Sequence, residues 1–173
     1  MFLVTLFIAV EPMSTIRNTA LVPALLEVAQ LVSVSEAALT TPANNLQIAF
    51  DLETSTATIS ADLPVSIDSN ASGVILNAAD YAPVASFDPS AITSLPGSTG
   101  MTNAADALLR IATEINQAEL AREATGLTQP ENAGVSVSIN FDTSRAAVTA
   151  SLPITVAIDG SGKSVITATN YLA

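Results

Sequence analysis

The stretch Ala57-Thr58-Ile59-Ser60-Ala61-Asp62-Leu63-Pro64-Val65-Ser66 returns later in the chain as Ala146-Ala147-Val148-Thr149-Ala150-Ser151-Leu152-Pro153-Ile154-Thr155. Within each copy, apolar side chains alternate with small or polar ones, the period-two pattern of a strand with one buried face. The likeness continues outward at separations of 89 to 91 positions: Phe50-Asp51 recurs as Phe141-Asp142, Ile67-Asp68 as Ile158-Asp159, and Tyr81 as Tyr171. Upstream, Leu39-Thr40-Thr41-Pro42 corresponds to Leu127-Thr128-Gln129-Pro130, each following an Ala/Leu-rich stretch. Landmarks that recur in order, with slips of one or two residues where turns belong, indicate a tandem duplication.

The unit that repeats is predicted to be a helix followed by a three-stranded antiparallel β-meander, so the fold class expected is α+β. In the second unit, Thr102 or Asn103 can cap a helix whose apolar positions Ala104, Leu108, Ile111, Ile115 and Ala118 recur at three- and four-residue spacing. Gly126 supplies its stop. Val135, Val137, Ile139 and Phe141 then alternate with Ser136, Ser138 and Asn140, and Asp142 to Arg145 turns the chain into a long strand from Ala146 towards Ile158. A turn at Asp159-Gly160-Ser161-Gly162 leads to a third strand, Ser164 to Asn170. The first unit repeats this with a helix between Asn18 and Val34, then Ile48 to Leu52, Ile59 to Ile67 and Val74 to Leu76. Pro64 and Pro153 interrupt the longest strand of each unit, where proline cannot donate a ladder hydrogen bond, so they should mark a bulge or an edge.

The division expected is residues 1–83 as the first α+β repeat, 84–100 as a Pro/Ser/Gly-rich linker, and 101–173 as the second repeat. An extra N-terminal β-strand is expected in Met1 to Val10 (MFLVTLFIAV), a run too short to span a bilayer as a helix and ended by Glu11-Pro12. It can belong to its own domain or complete the sheet of a neighbouring subunit.

Composition narrows the chemistry. Sixteen acidic residues against five basic ones leave the 173-residue chain at -11, which repels phosphate backbones and anionic membrane surfaces, so neither nucleic acid nor membrane is an expected partner. Charged residues make up only 12%, about half the usual share. There is no His, Cys or Trp, and Lys163 is the only lysine. The usual bases and nucleophiles are thereby removed.

The remaining candidates have simpler explanations. Asp51/Asp142 and Asp68/Asp159 are read as pairs in matching turns; Asp51-Leu52-Glu53 has oxygen ligands for calcium, but its acidic spacing is lost where Thr143-Ser144 follows Asp142. Asp159-Gly160-Ser161-Gly162-Lys163 lacks the full spacing of a phosphate loop and lies between strands. Glu114, Glu119 and Glu123 read as a solvated helix face partnered by Arg110 and Arg122. The sequence assigns no catalytic, cofactor-binding or metal-ligating residue and no cofactor, and the chain is expected not to be an enzyme.

Surfaces poor in charge and lysine suit permanent contact between subunits. In its Ala/Thr/Ser-rich, acidic, cysteine-free style the chain looks like virion structural proteins of tailed bacteriophages. The duplication, the low charge density and the lack of catalytic groups point to a non-enzymatic assembly protein such as a capsid decoration (cement) protein, expected in the virion as a homo-oligomer on a capsid or tail; the likeness to phage proteins is one of style. A trimer is favoured, because three duplicated chains present six similar units. The alternatives are a tail-tube or tail-adaptor component, or a carbohydrate- or ligand-binding module at the cell surface.

Overall fold

The computed structural model describes residues 21–38, 45–71, 73–81, 103–126 and 134–168. The Met1 to Val10 strand, the linker 84–100, Tyr171 and both upstream Leu-Thr-x-Pro landmarks lie outside them. The elements run α1 (Leu21–Ala37), β1 (Gln47–Asp51), β2 (Thr56–Asn70), β3 (Gly73–Ala78), α2 (Ala104–Ala124), β4 (Gly134–Asn140), β5 (Arg145–Ile158) and β6 (Ser164–Ala168). This is a mixed α+β fold dominated by one six-stranded antiparallel sheet. The order helix-strand-strand-strand occurs twice in it.

The centre of the sheet is the antiparallel pair β2–β5, flanked by β1 and β4 in the order β1-β2-β5-β4. Ser60 lies opposite Thr149, its own counterpart in the repeated sequence. Around that point the buried residues interlock by size. Ala57 faces Leu152, Ile59 faces Ala150, Ala61 faces Val148 and Leu63 faces Ala146, all of them buried. A shift of two residues would set Ile59 against Val148 and Ala57 against Ala150, crowding one pair and leaving a void at the next. The alternation of small and large side chains therefore fixes the register.

The prolines sit where each long strand changes partner. Val65 N–H donates to the Ser144 carbonyl and Ile154 N–H to that of Ser55, each at 2.9 Å. Residues in phase with Val65 and Ile154 thus turn their peptide groups towards the opposite long strand, while those in phase with the prolines turn the other way. On that side the ladder with β1 ends at Ser60 and the ladder with β4 at Ser151, so neither proline is asked for the N–H it lacks. The Pro64 carbonyl then accepts from Ala79 N–H as β3 takes over. Beyond the prolines, β2–β3 and β5–β6 continue as hairpins.

Both helices cover one face of the sheet and pack against each other. Asn103 caps α2 by accepting the Asp106 N–H at 2.8 Å, and Gly126, at φ +76°, follows its end. Helix α1 continues past the expected Val34 to Ala37, with Pro23 in its first turn, where no intrahelical N–H is needed. Each helix also reaches the hairpin of the other half. Helix α1 packs on β6 and α2 on β3, where the Asp106 carboxylate accepts the Ala78 N–H. Tyr81 donates to the Val32 carbonyl of α1 at 3.3 Å.

Three expected equivalences are corrected. Phe50 lies opposite Ala57, while Ile139 lies opposite Ala146; the counterpart of Phe50 is thus Ile139, and that of Phe141 is Leu52. Phe50 belongs to a strand and Phe141 to a turn, where it is 50% exposed and outside the core. The two turns have equal length. Asp51 Oδ1 accepts the N–H groups of Glu53 and Thr54, as Asn140 Oδ1 accepts those of Asp142 and Thr143. Ser55 and Ser144 close the turns at φ 53° and 52°. Asp142 therefore matches Glu53, not Asp51. The pairing of Asp68 with Asp159 fails as well: Asp68 sits in β2 opposite Ile75, because that strand runs on to Asn70, whereas Asp159 is in the β5–β6 turn.

Size complementarity predicts the response to repacking. Ala61→Leu should cost about 1–3 kcal/mol by overpacking against Val148, and adding Val148→Ala should recover much of that loss. Denaturant melts of the single and double variants measure it; purely additive losses would show that this pair does not set the register.

Candidate functional site

The face of the sheet opposite the helices carries the side chains between the core positions. Thr58, Ser136, Ser138, Ala147 and Thr149 are exposed there, and Ser60, Asp62 and Ser151 are half-buried. Among the described residues no element packs on this face. Its hydroxyls bond across strands, as Ser136 Oγ and Thr149 Oγ1 do. Its charges are one ion pair, Arg145 Nε to Asp62 Oδ2 at 2.8 Å, supported by Arg145 Nη2 on the Asp62 carbonyl, with Asp51 at the rim and Asp68 farther along β2. A surface of small hydroxyl and methyl groups, sparse in charge, is thus set into a strongly acidic protein. An open depression of about 460 Å³ lies at the Asp62–Arg145 end, lined also by Ser138, Asn140, Thr143 and Ala147.

The aspartates singled out in the sequence serve their own turns. Asp159 Oδ1 accepts the N–H groups of Ser161 and Lys163 and the Ser161 hydroxyl, which makes the Gly-containing segment a closed turn. The Ser161 hydroxyl, with these N–H groups, holds the Asp159 carboxyl below the ordinary aspartate range. Hydrogen bonds from Thr54, then Glu53, lower Asp51 in the same way. Among the described residues no group of three or more Asp and Glu side chains comes together to hold a metal. Lys163 donates its backbone N–H to that turn, so the segment is organised around a carboxylate, the reverse of an anion site.

The helix acids divide. Glu114 forms an i,i+4 pair with Arg110 at 3.0 Å, and partial burial raises its carboxyl against that opposing contact. Glu119, expected on the solvated face, is instead only 2% exposed and accepts the Val135 N–H at 2.7 Å. Glu36 is 5% exposed and accepts the Leu46 N–H at 3.0 Å. Each carboxylate thus takes the first outward N–H beside an edge strand. The sequence held a signal that the reading missed: Glu119 is in phase with Ile111 and Ile115, and Glu36 with Val28 and Val32, so both acids occupy the apolar stripe of their helix.

No protein-family model, curated protein or solved structure matches the chain.

Two outcomes are expected. Glu119→Ala leaves a buried N–H unsatisfied and should cost about 1–3 kcal/mol, whereas Glu119→Gln keeps an acceptor and should cost less; thermal melts separate the two. In an NMR titration Asp159 should ionise below the usual aspartate range. Because its folded value is lowered, its contribution to stability is present above the unfolded value and is lost as pH falls through the folded one; a normal midpoint would show that the turn does not hold the carboxylate.

Proposed function

We propose that this chain is a non-enzymatic assembly protein, most simply a virion component of a bacteriophage such as a capsid decoration protein, which acts as a homo-oligomer on a larger particle. The observation that carries this reading is the sheet face left open by the described elements, where small hydroxyl and methyl side chains and a central ion pair form a surface low in charge in a chain of -11. Surfaces buried for good are depleted in charge, and like-charged copies can approach one another only where charge is absent. We further propose that the two halves descend from a tandem duplication. The constant pairing of Ser60 with Thr149, the matched serine-closed turns and the paired carboxylates Glu36 and Glu119 support it.

A second reading, a carbohydrate- or ligand-binding module, draws on the depression between Asp62, Asn140 and Arg145. Its walls offer polar groups to a sugar but no aromatic platform among the lining residues, and the ion pair already occupies its charged groups.

Light scattering across a concentration series tests the assembly reading. A mass above the 17.6 kDa of one chain is expected, retained between about 50 and 500 mM salt because burial rather than ion pairing holds the contact. A monomer at every concentration would sink it, and saturable binding of a saccharide by that monomer would favour the second reading.

A further inference from the structure

We infer that β4 pairs antiparallel with β4 of a second copy of this chain, in the register that sets Ser138 opposite Ser138. This rests on the assembly reading above and names a contact at the sheet edge, beside the hydroxyl face. The phase of the ladder decides which groups are available. In β5 the residues in phase with Ile154 face β2, so Arg145, Ala147, Thr149 and Ser151 bond towards β4, where they meet Asn140, Ser138, Ser136 and Gly134. The peptide groups of Val135, Val137 and Ile139 therefore point away from the sheet. Val135 donates its N–H to Glu119. No described element pairs with the other two.

Edge strands of natural sheets are guarded by charge, proline, bulges or covering elements. Strand β4, Gly134-Val135-Ser136-Val137-Ser138-Ile139-Asn140, has no charge and no proline, and its guard, Glu119, closes only the first outward N–H. Pairing centred on Ser138 matches that opening. Val137 of each copy then faces Ile139 of the other, and the four pairs of N–H and C=O groups beyond the Glu119 cap are all used in four hydrogen bonds. Ser136 meets Asn140 on the hydroxyl face, and the apolar side chains of both copies stay on the helix side. The acidic chain also favours β4 over the opposite edge, since β1 ends in Asp51 where β4 ends in the neutral Asn140, Glu53 and Asp142 following at matching places. A two-fold contact gives dimers, or even-numbered assemblies when a second contact, such as the expected threefold one, is added.

The chain has no cysteine, so Ser138→Cys introduces one thiol per copy. In the proposed register the two thiols belong to a non-hydrogen-bonded antiparallel pair with Cα atoms about 4.5 Å apart, within disulfide range. Mild oxidation should convert the variant to a covalent dimer, while Thr58→Cys, on the same face but away from the edge, should not. Ser138→Asp, at an exposed position, sets like charges opposite each other and should abolish the dimer at concentrations where the parent chain is dimeric. If Ser138→Cys fails to cross-link although the parent chain exceeds monomer mass, or if that mass is trimeric, the β4 contact is wrong and the assembly reading stands. Monomers throughout would remove both.

Discussion

Everything else in this fold is arranged around the antiparallel contact of two strands with the same alternation of small and large side chains. Paired in parallel at matched positions, two sequences in which buried Ala and a larger residue alternate set large against large and small against small. Reversed, and centred on Ser60 and Thr149, the same sequence becomes complementary to itself, each buried pair holding one alanine and one branched side chain. Dispersion and burial both reward that fit. Once the register is set, the prolines fall at the ends of the central ladders, the long strands are released to form their outer hairpins, and the two helices are placed on the same side.

The cost of building a sheet from two halves is two exposed edges, and the helices contribute to closing them. Glu36 and Glu119 lie in the apolar stripe that docks on the sheet, which carries a carboxylate to the first outward amide of each edge strand. A buried acid is costly unless its oxygens find donors, and here the donor is a peptide N–H that would otherwise template a foreign strand. Packing and edge protection are therefore one arrangement. The opposite face of the sheet is treated differently, with hydroxyls that bond across strands and an ion pair that removes its only fully opposed charges.

Much of this was legible in the sequence. Period-two alternation located the strands, three- and four-residue spacing located α2, and the Asn103 and Gly126 signals bounded it, because each is a local property of the backbone. The repeated Ala-Leu-Pro landmarks located the two long strands, though not their pairing with each other at the centre of one sheet. What misled was letter identity. Matching Phe50 to Phe141 required a two-residue slip, whereas the Asx-type turn recognises oxygen rather than ring, so Asp51 answers to Asn140. Glu119 was misplaced because a charge suggests solvent, although its phase with Ile111 and Ile115 pointed inward. The hydroxyl face was implied by alternation, but which residues share it across four strands depends on register, and register is a long-range property. No catalytic pattern was legible.

The crossing of each helix onto the hairpin of the other half has a kinetic meaning. Among the described residues helix α1 precedes every strand, yet part of its cover is β6, the last described strand in the order. On a ribosome the first half emerges with its helix, meander and half of the central pair, but the strand that would lock Leu63 and Ala57 in place has not yet been made. Loop closure over nearly the whole described chain must precede the final packing, and contacts of such sequence separation form slowly. The nascent first half thus displays an unpaired β2 edge built to accept a sequence like its own, and during synthesis the nearest such sequence belongs to the neighbouring chain on the same message. Exchange of halves between sister chains is the misfolding hazard that a self-complementary strand carries with it.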